Sequence, residues 1–478
     1  MAFLLAAAVP GLNGTASAQT GIARAGAEAG AGSQGGSEDM VTGLSPLQLR
    51  ALARDRLARG DMAMARTLAQ ALLARDPDDL QALLVLAQAE RALGGEAAAL
   101  EAARRAWALS ETDEERYASA LIRAQVLSSA GRRTLAQLWL RRAAEVAPDA
   151  ATRARAIRDF RYLRLRNPWS SQLSLAVTPT DNVNNGSSQD SFTIDGLPWD
   201  FILSGEARAL SGVELSLGAD TRYRLSETED RATDLMLRAS HRTYALSAGA
   251  EARAPGAEGS DFAYSTLSAG IGQRRLLGDL TGGARTAHEL SYAAWAGQNW
   301  YGGDPYGGFL RGEARLAHRL DARNRLSTGL TLEARRGDGA PEADVQGLSL
   351  GWDHGWSGGQ LSLYGVVTLS QSGHETADYR DLRLGARIAP KAGWMQETLG
   401  ARPSLTLEAR ERRFDRSSYS FDGRSDAELS ASLEVTFGRV DYYGFSPVVT
   451  LETSRTRSNV DLFDTGRTGL GLSVQSAF

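Results

Sequence analysis

The chain has no cysteine, a single lysine (Lys391) among its 53 basic residues, and five histidines in 478 residues. The missing cysteine excludes disulfide staples, thiolate metal sites and cysteine nucleophiles together, and suits either the cytosol or an oxidising compartment. A formal net charge of −4 lacks the basic footprint of a nucleic-acid binder, so no nucleic-acid partner is expected. Past the N-terminal leader, no stretch reaches the roughly 18 consecutive apolar residues of a membrane-crossing helix. His241, His288, His318, His354 and His374 are scattered, without metal-ligand spacing. Asp353 and His354 are neighbours, but successive residues of a strand point to opposite faces. No nucleophile elbow, phosphate-binding loop or dinucleotide fingerprint occurs in the context it needs. Neither catalysis, cofactor nor metal is expected. The preference for arginine over lysine reads as compositional.

What is present falls into four stretches. MAFLLAAAVPGLNGTASAQ carries an apolar run, Ala2 to Val9, and then Ala16-Ser17-Ala18, an A-x-A cleavage pattern. Residues 1–18 read as a secretory signal peptide, although a basic n-region is missing. Residues 19–45, rich in Gly, Ala, Ser and Gln, read as a flexible linker. An exported chain with no helix to stop it goes to the periplasm, the outer membrane or the medium.

From 46 to 166, Leu, Ala and Arg dominate with helical periodicity. Gly60, Gly94 and Gly131 recur at spacings of 34 and 37 residues. Ala65, Ala99 and Ala136 lie five residues after each glycine, and Leu72, Ala106 and Ala143 lie twelve after. Pro77 and Pro148 follow the first and third copies, with Glu111 in the middle one. This is tetratricopeptide spacing: glycine turns one helix into the next, small alanines let the pair pack closely, and proline stops the second helix. About three repeats are expected, enough for a stacked solenoid whose concave groove holds a peptide or partner protein.

From 168 to 478 the helical period disappears. Segments of about ten alternating residues follow one another between Gly, Asp, Asn and Pro. In RNRLSTGLTLEARR, Leu326, Leu330 and Leu332 share one parity while Arg325, Ser327, Thr331, Glu333 and Arg335 share the other. RPSLTLEARERR, DAELSASLEVTF and DLRLGARIA repeat the scheme. No strand reads as a continuous apolar run, as a soluble sandwich of this size would require. A soluble core would also bury the charged parity at several kcal/mol per unpaired ion, whereas a wet lumen does not. These segments predict an antiparallel transmembrane β-barrel of 14 to 16 strands behind an α-solenoid. Trp295, Trp300, Tyr301, Tyr306, Trp352, Trp356, Tyr419, Phe421, Tyr442, Tyr443 and Phe445 are expected at strand ends, as interfacial girdles. The last stretch, GLGLSVQSAF, has the same alternation and ends on Phe478, which reads as the closing strand.

This combination resembles the surface lipoprotein assembly modifier family of Gram-negative outer-membrane proteins, over nearly the whole mature chain. In NPWSSQLSLAVTPTDNVNNGSS, Trp169, Pro179, Asp181, Asn182, Val183 and Asn184 are similar to that family's first strand and Asn-rich loop. In YGFSPVVTLETSRTRSNVDLFDTGRTGLGLSVQSAF, Phe445, Pro447, Arg455, Ser458, Asn459, Phe463, Asp464 and Arg467 are similar to its last hairpin. Gln475-Ser476-Ala477 departs from the basic residues usual there. The resemblance implies a barrel of about 14 strands in the outer membrane. It would deliver lipoproteins or related secreted proteins to the surface, with the repeat domain in the periplasm engaging substrate or a chaperone. Phe478 would be the assembly signal read by the barrel assembly machinery. Exporters of cellulose-like exopolysaccharides share the architecture with 16 strands and many more repeats, and form the alternative reading.

Overall fold

The computed structural model describes residues 44–278, 288–391, 393, 395–440 and 442–476. The signal peptide, nearly all of the linker and Phe478 lie outside the described residues. Seven helices come first: α1 (Pro46–Ala58), α2 (Met62–Arg75), α3 (Leu80–Leu93), α4 (Glu96–Leu109), α5 (Asp113–Ser129), α6 (Arg133–Glu145) and α7 (Ala150–Arg166). Five of their seven starts are capped by side chains. Ser45 and Gln48 form a capping box ahead of Pro46, Thr112 and Glu115 form another at α5, and Asp61 and Asp79 cap α2 and α3. Each cap satisfies backbone N–H groups that the first turn leaves unpaired.

Three helix pairs are turned by Gly60, Gly94 and Gly131, at φ of +83°, +81° and +73°. This left-handed conformation is open to glycine and strained for other residues. Ala65, Ala99, Ala136, Ala106 and Ala143 are fully buried and Leu72 nearly so. That is what lets the second helix of each pair approach its neighbours. Pro77 lies in the turn after α2, and Pro148 precedes the Asp149 cap of α7. The first helices of successive pairs, α1, α3 and α5, touch side by side. This is the stacking of a solenoid, and α7 covers its last pair.

Fourteen strands then close a barrel: β1 (Trp169–Thr180), β4 (Gly212–Glu227), β5 (Arg231–Leu246), β6 (Tyr264–Leu277), β7 (His288–Tyr301), β8 (Asp304–Arg319), β9 (Asn324–Arg336), β10 (Ala343–Trp356), β11 (Gly359–Gln371), β12 (Tyr379–Pro390), β13 (Ala401–Phe414), β14 (Arg424–Phe437), β15 (Phe445–Ser458) and β16 (Thr465–Ser476). A small hairpin, β2 (Ser191–Thr193) with β3 (Asp200–Ile202), stands in the first connection. Each strand pairs antiparallel with its sequence neighbour, and β1 closes on β16. The expected range of 14 to 16 strands thus resolves to 14. Connections 228–230, 320–323 and 357–358 are tight at the end carrying the repeats. The far end carries the long segments 181–211 and 247–263.

The apolar parity faces outward. Leu330 and Leu332 on β9 are 48% and 52% exposed, beside Leu348 and Leu350 on β10. Only an apolar surrounding makes such a wall stable, and among the described residues no helix is long and apolar enough to cross a membrane. The opposite parity is not a set of free charges. Four buried carboxylates, Glu214, Asp234, Glu333 and Asp381, each lie between two guanidinium groups: Arg242 and Arg467, Arg222 and Arg224, Arg311 and Arg335, Arg410 and Arg412, in that order. The inward wall is a lattice of cross-strand pairs. Trp295, expected in a girdle, instead points inward at mid-strand, 5% exposed beneath Arg238. Tyr419 packs on Phe192 and Phe463 above the far rim rather than toward an interface.

A Cβ at Gly94 meets nothing within 4 Å, so the demand there is conformational alone. Gly94→Ala is expected to destabilise the repeat domain by about 1–2 kcal/mol, read as a lowered thermal midpoint of the helical circular-dichroism signal in the full-length protein. An unchanged midpoint would contradict the role given to this turn.

Candidate functional site

Three surfaces gather side-chain bonds between elements far apart in sequence: the inner layer of the solenoid, the rim beneath it, and the far rim. On the inner layer, α1, α3 and α5 are bridged by polar side chains. Arg54 donates to Gln81 Oε1 (2.7 Å), Arg91 donates to Ser129 Oγ (3.4 Å), and Arg50 pairs with the buried Asp79 (2.7 Å). These bonds tie the first helix of each pair to the next and use the polar ends of Arg50 and Arg54 within the solenoid. At its lower end Tyr117 of α5 donates to the Thr152 carbonyl of α7 (3.2 Å). The N–H groups of Thr152 and Ala151 hold the capping carboxyl of Asp149 below the usual carboxylate range.

The repeats are fastened to the barrel by one side chain above all. Arg141 of α6 donates to the carbonyls of Tyr443 (3.1 Å) and Gly444 (2.8 Å) in the β14–β15 turn, and to Ser476 Oγ at the end of β16 (2.8 Å). Its guanidinium lies over Phe160 of α7 and Phe445 of β15, at 4.7 and 4.6 Å. Glu145, one turn further along α6, accepts the Tyr443 N–H (2.9 Å). Tyr443 holds φ +50°, which aims its carbonyl and N–H at the helix. The covalent link is held as well. Asn167 donates to Thr134 (3.0 Å), Arg133 donates to the Arg166 carbonyl (3.0 Å), and the Pro168 carbonyl accepts from Arg224 N–H (2.8 Å).

At the far rim the structure gathers residues nearly 300 positions apart. The Asn182 amide, 1% exposed, donates to the carbonyls of Gly186 and Gly466 and accepts the Gly186 N–H, all at 2.9 Å. Asn184 donates to the carbonyls of Glu206 and Arg208 and accepts from Leu210 N–H. Asp181 exchanges two bonds with Thr468, at 3.2 and 2.6 Å. Asp464 accepts from Ser458 N–H and Gln189 Nε2, while Asn459 ties Ser425 to Gly423. Phe463 lies against Arg424 (3.7 Å), and Arg467 bridges Glu214 and Glu452. Segment 181–211 thereby fits between 459–464 on one side and 247–263 on the other. A Cβ at Gly205 would sit 1.9 Å from the Arg253 carbonyl.

Of the residues singled out by sequence resemblance, Asp181, Asn182, Asn184, Asn459, Phe463, Asp464 and Arg467 therefore form one patch. Trp169, against Tyr223, and Pro447 stand instead at the repeat-side end, and Pro179 faces outward beside Val213. Asp353 and His354 diverge: the aspartate accepts from Ser362, and the histidine packs between Trp352 and Trp356. Among the described residues no group of three potential metal ligands occurs. Arg141, Glu145, Arg54 and Arg91 were not legible beforehand, because on a helix surface nothing local separates them from the other arginines.

One irregularity concerns the closure itself. Every other neighbouring pair in the barrel is registered over nine or more positions. Among the described residues the pair β1–β16 is registered at three: Ala176 with Ser473, Val177 with Leu472, and Thr180 with Gly469. All three lie toward the far rim.

No protein-family model matches the chain, and no curated protein matches it. Among solved structures, the helical part is similar to the type III secretion translocator chaperone SycD of Yersinia enterocolitica, at 22% identity over 28% of this chain and 96% of that one, with a TM-score of 0.23. The barrel is similar to OccAB3 of Acinetobacter baumannii, at 9% identity, 64% and 98% coverage and a TM-score of 0.33. It is also similar to a loop-deleted OmpT of Vibrio cholerae, at 8% identity, 64% and 99% coverage and a TM-score of 0.32.

Arg141→Ala removes three bonds from a charged donor, each worth about 1.5–3 kcal/mol in comparable settings. The expected result is an undocked repeat domain, read as trypsin cleavage after Arg166 that is at least about tenfold faster. Arg141→Lys, a point cation without the planar fork, is expected in between. Equal cleavage rates in all three proteins would remove Arg141 from this role.

Proposed function

We propose that the chain is an outer-membrane translocation factor that delivers lipoproteins or related secreted proteins to the cell surface, in the manner of the surface lipoprotein assembly modifier family it resembles. The observation that carries this reading is the Arg141 dock, which sets the solenoid groove at one mouth of a barrel with a polar inward wall. A client held in the groove lies next to the conduit, and Ser, Thr and paired charges on the wall replace water along its backbone.

The longest connections support one orientation. Outer-membrane barrels have short periplasmic turns and longer external loops, so the repeat-side end is assigned to the periplasm and segments 181–211 and 247–263 to the surface. The partners are then a lipoprotein or secreted client, a periplasmic chaperone that hands it over, outer-membrane lipid, and the barrel assembly machinery that reads the last strand. The protein works as a conduit and not as an enzyme. With no nucleotide in the periplasm, folding of the client outside or other machinery supplies the direction.

Fourteen strands and three helix pairs favour this reading over an exopolysaccharide exporter. Deletion followed by protease shaving of intact cells tests it. Surface lipoproteins released by the protease are expected to fall while exopolysaccharide is unchanged. Loss of polysaccharide with surface lipoproteins intact would overturn the assignment.

A further inference from the structure

The positive charge of the repeat domain is gathered at one end. Residues 46–131 hold eleven arginines and twelve acids, whereas residues 132–166 hold ten arginines and three acids, Glu145, Asp149 and Asp159. The basic end is α6 and α7, the two helices fixed to the barrel rim. Arg141 of α6 bonds the end of β16, and α7 runs through Asn167 and Pro168 into β1. The surplus cations therefore stand where the barrel leaves the hydrocarbon.

α7 has two unlike faces. Ala156 and Phe160 are buried in the domain core, with Ile157 and Leu163 packed beside them. Arg158, Arg161, Tyr162 and Leu165 share the opposite face, at helical spacings of three and four. Leu165 is 85% exposed and Tyr162 53%, with the Arg166 guanidinium 4.2 Å from the Tyr162 ring. Arg158 and Arg161 are exposed and enter no ion pair among the described residues. Such a face suits a membrane surface, where apolar side chains enter the headgroup layer and guanidinium groups meet phosphate. It also continues into the lipid-facing wall of the barrel. Trp169 opens β1 on the same parity as the outward Leu173 and Leu175, is 51% exposed, and packs on Tyr223 of β4 (4.8 Å). Trp and Tyr at a strand end mark headgroup level. Leu165 is four residues upstream, across a link that Asn167 fixes to Thr134.

We infer that this face of α7 binds anionic phospholipid headgroups of the leaflet on the repeat side. Leu165 and Tyr162 enter the interface there, and Arg158 and Arg161 meet phosphate. An acidic protein segment would pair with the arginines but would leave Leu165 and Tyr162 in water. It would also give no reason for their continuity with Trp169. The inference requires that the barrel lies in a membrane and is independent of what the barrel carries. Lipid then steadies the solenoid over the mouth together with Arg141.

The absence of native cysteine lets single spin labels report depth. Leu165→Cys and, as an aqueous reference, Ala98→Cys on the exposed surface of α4 are labelled in the full-length protein. Each is reconstituted into vesicles of phosphatidylcholine alone or of an equal mixture with phosphatidylglycerol. Heat-modifiable migration and the helical circular-dichroism signal check folding. In the mixed vesicles, collisions with a neutral, water-soluble nickel chelate are expected to be at least about threefold rarer at position 165 than at 98. This protection is expected to fall in pure phosphatidylcholine, and in mixed vesicles when Arg158→Gln and Arg161→Gln accompany the label. A label at 165 as open to the chelate as the one at 98 overturns the inference. Protection that survives either the change of lipid or the double substitution reports burial against protein and overturns it as well. A label that is open in mixed vesicles and becomes shielded on adding hexaglutamate assigns the face to an acidic client instead.

Discussion

Inside hydrocarbon a backbone N–H or C=O has no partner except another backbone, and every large feature of this molecule answers to that constraint. It forces the strands to close, and it makes the alternation of side chains absolute. One parity must satisfy lipid while the other must satisfy itself and water. The outward leucines and the inward arginine–carboxylate lattice are two results of one requirement. Each of Glu214, Asp234, Glu333 and Asp381 sits between two arginines, because a buried carboxylate with no cation would be strongly destabilising.

The two ends of the barrel solve closure differently. At the far rim, side-chain amides and carboxylates from segment 181–211 replace missing ladder bonds, with Asn182 serving three backbone groups at once. At the repeat-side rim the neighbouring domain does the work through Arg141. Its guanidinium reaches one turn and the end of another strand simultaneously, a task its planar fork of donors suits. The solenoid is therefore part of how the barrel ends are held, and not a separate module on a tether.

How much of this was legible in the sequence follows from how local each signal is. Gly60, Gly94 and Gly131 each demand a left-handed turn within a few residues, so their spacing was enough for the solenoid. Leu326, Leu330 and Leu332 needed only strand parity to be placed on one face, and runs of that kind were enough for a barrel. The strand count needed the register of the whole sheet and stayed between 14 and 16. Asn182 read as one residue of an Asn-rich loop, because its partner Gly466 is 284 positions away. Trp295 resembled a girdle residue, since an aromatic on a strand carries no mark of which face it takes until its neighbours are known. Arg141 had no local signal at all.

The near-exclusive use of arginine has a consequence for the inward lattice. A guanidinium keeps its charge throughout the accessible range of pH, unlike an ammonium or an imidazole. Raising the pH therefore removes neither partner from a pair such as Glu333 between Arg311 and Arg335. Without the carboxylate, two like charges would face each other with nothing between them. Each carboxylate is thus all that stands between two charges that the choice of cation makes permanent.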